Sequence, residues 1–103
     1  MTWGVTIDVP APVELYDALH ARLLERTGST VEGLVLHLAR PTGEGFQVVE
    51  VWESRADYDR YVDELLMPVL TELSDGRATR ESGQTETEFE VRGLVVPSGG
   101  TAW

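Results

Sequence analysis

Glu50 stands in an otherwise apolar stretch, Val48-Val49-Glu50-Val51-Trp52. A carboxylate among such neighbours is a candidate general acid or base, since proton transfer uses a titratable group positioned away from bulk water. His37 lies in the preceding apolar stretch, Leu34-Val35-Leu36-His37-Leu38. If the two stretches are arms of one hairpin, opposite or diagonal partners stand about 5–8 Å apart. A Glu–His couple at that range would fix one imidazole tautomer and shuttle a proton near neutral pH. The competing readings are structural: Arg92 or a second copy's arginine satisfies Glu50, and a backbone carbonyl satisfies His37. Trp52 and Tyr58 could hold a flat ring, with Tyr61 and Tyr16 as weaker versions. As plain core aromatics each would bury about 150–250 Å². Phe46 and Val48 share the parity of Glu50 and would line the same space. His20, in the first helical segment, is read as facing solvent.

Other reactive groups are few. The 103-residue chain draws all eight of its basic residues from Arg and has no Lys, Cys or Asn. Without Lys there is no Schiff base or lysine-anchored pyridoxal phosphate. Without Cys there is no thiolate nucleophile, disulfide or zinc–sulfur site. Two histidines, His20 and His37, argue against a histidine-rich metal site. The expectation is therefore no metal and no organic cofactor. A net charge of −10 disfavours nucleic acid and anionic membrane as partners. The start, Met1 to Pro12, lacks a basic region followed by an apolar run, and no stretch approaches the roughly 20 apolar residues of a membrane span. These features make the cytoplasm the expected location.

The elements that must position Glu50 and His37 read as β-α-β-β-α-β. Trp3 to Val9 alternates with period two, and Pro10-Ala11-Pro12 ends it with Pro12 placed to open a helix. The helix runs to about Thr27, with Leu15, Leu19 and Leu23 as its core stripe and Gly28 at its end. Thr30 to Arg40 and Phe46 to Glu53 are two strands joined by the turn Pro41–Gly45. That glycine-containing turn links antiparallel strands and does not open a helix, so it is no phosphate cradle. Ser54-Arg55-Ala56-Asp57 reads as an N-cap with an acid at the third helical position. Tyr58, Tyr61, Val62, Leu65, Leu66 and Val69 form the apolar face of the helix it starts, and Pro68 should kink or restart that helix. A polar loop, Ser74 to about Thr85, leads to a last strand, Glu86 to Val96, whose Glu86, Glu88 and Glu90 suit a solvated edge. Residues 1–97 are expected to form one domain and 98–103 a flexible tail.

Two parity sets follow for the hairpin. Leu34, Leu36, Leu38, Val49 and Val51 make one face, purely aliphatic and expected under the helices. Val35, His37, Ala39, Phe46, Val48, Glu50 and Trp52 make the other. Crossovers of one hand put both helices on one side of the sheet. An apolar patch of several hundred Å² is then left on the helix-free side, and the simplest cover is the same face of a second copy.

This arrangement resembles the dimeric α+β barrel superfamily, and most closely its antibiotic-biosynthesis-monooxygenase-like branch. The resemblance covers residues 3 to 96 and is most specific in GFQVVEVWESRADYDRYVDELLMPVL, Gly45 to Leu70. It implies a ferredoxin-like fold of four antiparallel strands with two helices on one face, paired sheet to sheet as a homodimeric barrel. It also implies a pocket between sheet and helices, or toward the barrel interior, with Trp52 and Tyr58 among its aromatics. Heme-degrading relatives combine an Asn, a Trp and a His; this chain has no Asn and no His in its second helix. The function implied is a small cofactor-independent enzyme, monooxygenase-like, acting on an aromatic or polyketide-like substrate. Isomerase or cyclase chemistry on the same fold, or a non-catalytic dimeric module for a hydrophobic ligand, are the alternatives.

Overall fold

The alternating segment near the N-terminus forms strand β1 (Trp3–Val9), and Pro12 precedes helix α1 (Val13–Thr27) as expected of a residue with fixed φ and no N–H. The computed structural model describes residues 2–28, 30–73 and 84–95. Gly28 closes α1 in the left-handed region, φ 63°, and its N–H reaches the Leu24 carbonyl at 2.9 Å. Strands β2 (Leu34–Pro41) and β3 (Phe46–Trp52) form the hairpin. Ser54 then caps helix α2 (Arg55–Tyr61) by accepting from the Asp57 N–H at 3.2 Å. The helix continues through a π turn (Val62–Leu66) into α3 (Met67–Leu73). Pro68 lies just past that turn. The widened turn is the local adjustment at the proline, in place of a break. Strand β4 spans Thr85–Phe89, shorter than the expected Glu86 to Val96. The expected tail, 98–103, lies outside the described residues.

The four strands are antiparallel in the order β2-β3-β1-β4, as a ferredoxin-like βαββαβ chain requires. β3 is central and the most buried: Phe46, Val48, Glu50, Val51 and Trp52 are all enclosed. Trp52, Val5, Tyr58 and Val62 form the core, with Trp3, Ile7, Val31, Leu34, Tyr61, Leu66 and Met67 packed round it.

The two hairpin faces exist as read, but their expected places are exchanged. Trp52 packs on Tyr58 and Tyr61, and Phe46 on Tyr16, so the Phe46–Val48–Glu50–Trp52 face lies under the helices. The aliphatic face turns away from them, leaving Leu38 53% and Leu36 36% exposed. A period of two separates two faces without naming the one that the helices cover. Here β3 runs straight into α2, so Trp52 meets that helix's first aromatic, and the donors that Glu50 needs are on the helix side. Leu34 departs from its set as well. A register shift between Leu34 and Leu36 puts Leu34 opposite Trp52, on the helix side. The helix-free face keeps its apolar character through Leu36, Leu38, Val49 and Phe89, whose ring lies across Gly4 where a Cβ would stand only 2.3 Å away.

The expected core stripe of α1 is shallower than its spacing suggests. No residue of this 15-residue helix is fully buried. It is tied to α3 by Arg22 and Arg26, which both reach Glu72, at 2.5 and 2.7 Å, in exposed ion pairs. Such pairs contribute little.

Candidate active site

β3 and β2 place Glu50 and His37 directly opposite each other in the ladder. Glu50 is 3% exposed. Its Oε2 accepts from His37 Nδ1 at 2.7 Å, and its Oε1 accepts from the Trp52 indole Nε1–H at 3.1 Å. Burying a carboxylate removes its water, and these two donors replace it. Arg92, the ion partner weighed for Glu50, pairs with Glu90 instead.

The series does not stop at His37. Its Nε2 stands 2.7 Å from the Tyr16 hydroxyl, and that hydroxyl stands 3.2 Å from His20 Nδ1. Tyr16 and His20 lie one turn apart on α1, so the helix carries both toward the sheet. This corrects the reading of His20 as a solvent-side residue: it is half-buried, its ring nearly parallel to that of His37 at 5.8 Å. The direction of each bond follows from the fixed donors. Trp52 Nε1 can only donate, and an ionised Glu50 can only accept, so His37 carries a proton on Nδ1. With its second nitrogen unprotonated, His37 accepts on Nε2 from the Tyr16 hydroxyl, whose oxygen is then left to accept from His20 Nδ1. Every proton points toward Glu50. Hydroxyl, imidazole and carboxylate are in the order of a Ser-His-Asp triad, with a phenol in place of the alcohol.

Burial, then the charge of Glu50, then that of Asp17 push the Tyr16 phenol up to about 12. Tyr16 therefore rests protonated at neutral pH and acts as a donor. Burial, with His37 next, lowers His20 below its ordinary value in spite of Asp17, which favours its neutral form. Tyr61 is pushed up as well, by burial first and then by Glu50 and Tyr16, which places this phenol within the field of the same carboxylate.

The residues expected to hold a ring fall into two groups. Trp52 and Tyr58 are sealed: Trp52 has no exposed surface, and the Tyr58 ring is wedged 5.1 Å from Trp3 and 5.8 Å from Trp52. The Tyr58 hydroxyl donates to Glu86 at 2.5 Å. Val48 is buried on β3, on the other side of Glu50 from Trp52. Phe46 and Tyr61 adjoin the polar series instead, Phe46 at 5.5 Å from the Tyr16 ring and Tyr61 at 5.2 Å from Trp52. The pocket expected beside Trp52 is thus closed. A shallow depression of about 390 Å³ lies elsewhere, between Pro10–Val13 and the β2–β3 turn, and no residue of the Glu50 series lines it. Among the described residues, no group of three or more His, Cys, Asp or Glu could hold a metal ion. No helix among them is long and apolar enough to cross a membrane.

Sequence reasoning gave Tyr16 little weight and His20 less. The signal was their i, i+4 spacing on the helix face that carries Tyr16 toward the strands. It was masked because the Leu15–Leu19–Leu23 stripe drew the helix's expected inner face to one side.

No family model and no curated protein matches the sequence. Solved structures do match in fold. A protein of unknown function from Nitrosomonas europaea superposes with a TM-score of 0.68 at 13% identity, over 95% of this chain and 96% of its own. A Deinococcus radiodurans protein, provisionally named an antibiotic biosynthesis monooxygenase, gives 0.56 at 15% identity, over 96% and 100%. SnoaB, a cofactor-independent oxygenase from Streptomyces nogalater, gives 0.55 at 17% identity, over 91% and 94%. The chain has the fold of the antibiotic biosynthesis monooxygenases. At such identities it is the fold that is shared, and whatever chemistry this chain performs has to be argued from its own residues.

Proposed function

We propose that this chain is a small cofactor-independent enzyme, monooxygenase-like, that takes a proton from a hydrophobic aromatic or polyketide-like substrate with Glu50 and His37 as its base. One observation carries this reading: a buried carboxylate is bonded at 2.7 Å to a histidine whose other nitrogen meets a hydroxyl at 2.7 Å. A structural ion pair needs no third member, whereas a base that must accept and pass on a proton does. The likeness in fold to a cofactor-independent oxygenase supports the oxygenation outcome over isomerisation or cyclisation. In that outcome the substrate anion supplies the electrons, a methylene becomes a carbonyl, and the second atom of O₂ leaves as water. Phe46 and Tyr61 are the aromatic walls nearest the base. Trp52 serves by fixing Glu50 through its N–H, and Tyr58 and Val48 back it. The protein works as a homodimer in which the helix-free face, Leu36, Leu38, Val49 and Phe89, meets its own copy.

The test uses dithranol, a tricyclic phenol with an enolisable methylene. Under nitrogen in D₂O the protein should speed exchange of the methylene hydrogens, and in air it should speed oxygen uptake. Glu50→Gln should lower both by roughly 10²-fold. Exchange without oxygen uptake would move the assignment to isomerase or cyclase chemistry. Binding with neither would make the chain a ligand-binding module.

A further inference from the structure

The Glu50–His37 couple offers a ligand no open atom. Both carboxylate oxygens are taken, by Trp52 and His37, and both imidazole nitrogens are taken, by Glu50 and Tyr16. The first atom beyond the couple is the Tyr16 oxygen, and its contact with His20, 3.2 Å, is the longest of the four. Tyr16 and His20 ride on α1, which has no fully buried residue. Phe46, packed on Tyr16, supplies an apolar floor at the same spot.

We propose that Tyr16 is the group that touches the substrate, which enters under α1 in the place His20 now holds, and that Glu50 and His37 act through its hydroxyl. This rests on the reading of the couple as the base and names the atom at which that base works. The substrate is then a flat aromatic with an acidic hydroxyl or an enolisable methylene. In the step, the ligand's proton passes to the Tyr16 oxygen while the proton of Tyr16 passes to His37 Nε2. One proton enters Tyr16 and one leaves it. The ligand becomes an anion, His37 becomes an imidazolium held by the Glu50 carboxylate, and no electrons move. Concerted transfer suits a phenol that burial and Glu50 hold protonated, because no free phenolate forms. Neutral His20 can leave Tyr16 without moving a charge.

Two measurements on the full chain test this. The first is methylene exchange of dithranol in Tyr16→Phe, beside Glu50→Gln and wild type. Tyr16→Phe should fall by roughly 10²-fold, as far as Glu50→Gln does, with KM nearly unchanged. If Glu50→Gln falls and Tyr16→Phe does not, the couple acts directly and the role of Tyr16 is overturned while the base stands. If neither falls, the reading of the base has failed first, and this proposal with it. The second reads the contact without turnover: ¹⁵N resonances of both histidine rings are followed as 2-naphthol is added. His20 Nδ1 should move most, as it loses Tyr16. A His20 signal that stays in place up to the solubility of 2-naphthol overturns the proposal.

Discussion

Replacing Glu50 with Gln should reverse the three bonds that run from residue 50 through His37 and Tyr16 to His20 while leaving every bond made. The amide keeps the shape of the carboxyl but turns one acceptor into a donor. Trp52 Nε1 can only donate, so the amide oxygen must face it and the amide N–H₂ must face His37 Nδ1. His37 then carries its proton on Nε2 and donates to Tyr16, and the Tyr16 hydroxyl turns to His20 Nδ1. Two charge-assisted bonds become neutral ones, a loss of about 1 kcal/mol each, so the variant should be about 2 kcal/mol less stable. Glu50→Met goes further. It leaves the indole N–H of a residue with no exposed surface without an acceptor, at about 2 kcal/mol, and removes the His37 bond, at about 1 kcal/mol more. With a urea slope of about 1 kcal/mol/M for a chain of this size, the midpoints should fall by roughly 2 M and 3 M. Tryptophan fluorescence follows the unfolding, and ¹⁵N spectra of the histidine rings report the tautomer. Wild-type protein should show His37 protonated on Nδ1, and Glu50→Gln should show it on Nε2. If Glu50→Gln keeps the Nδ1 tautomer at wild-type stability, Glu50 does not set the direction of the series, and the account of the site as one polarised unit is wrong.

Two further predictions test the surroundings. Tyr16 has a folded-state value of about 12 against an ordinary 10, so its contribution to stability is complete below pH 10 and is lost as pH rises from 10 toward 12. Phenolate absorbance at 295 nm should accordingly be the same in Tyr16→Phe and wild type at pH 11 while both remain folded; a clear deficit in the variant would show that Tyr16 ionises early. Leu38→Glu should convert a dimer into a folded monomer by sedimentation at micromolar concentration, because Leu38 is 53% exposed on the helix-free face and makes little of the protomer's own core. A wild-type protein that sediments as a monomer, or a variant that stays dimeric, would refute pairing through that face.

Local rules made much of this molecule legible. Period-two alternation set β1, Ser54 and Gly28 marked helix ends, and the Pro41–Gly45 turn with its flanking strands marked the hairpin, whose register, with His37 opposite Glu50, only the ladder itself fixed. Each is a matter of neighbours along the chain or across one turn, where the backbone has few alternatives. The β-α-β-β-α-β order then left few topologies, and the observed strand order is one that same-handed crossovers build.

What the sequence by itself determined was thus the elements, their order and two faces of different chemistry. Which face the helices cover, the shift that carries Leu34 to the helix side, and the meeting of Tyr16 and His20 with His37 were decided only in three dimensions. The reason is physical. Alternation is blind to what lies above a sheet, and the roll of α1 depends on how large rings such as Phe46 and Tyr16 fill the space beneath it. Glu50 announced itself as a carboxylate out of place, but its donors come from β2, from its own strand and, at one remove, from a helix packed across the sheet.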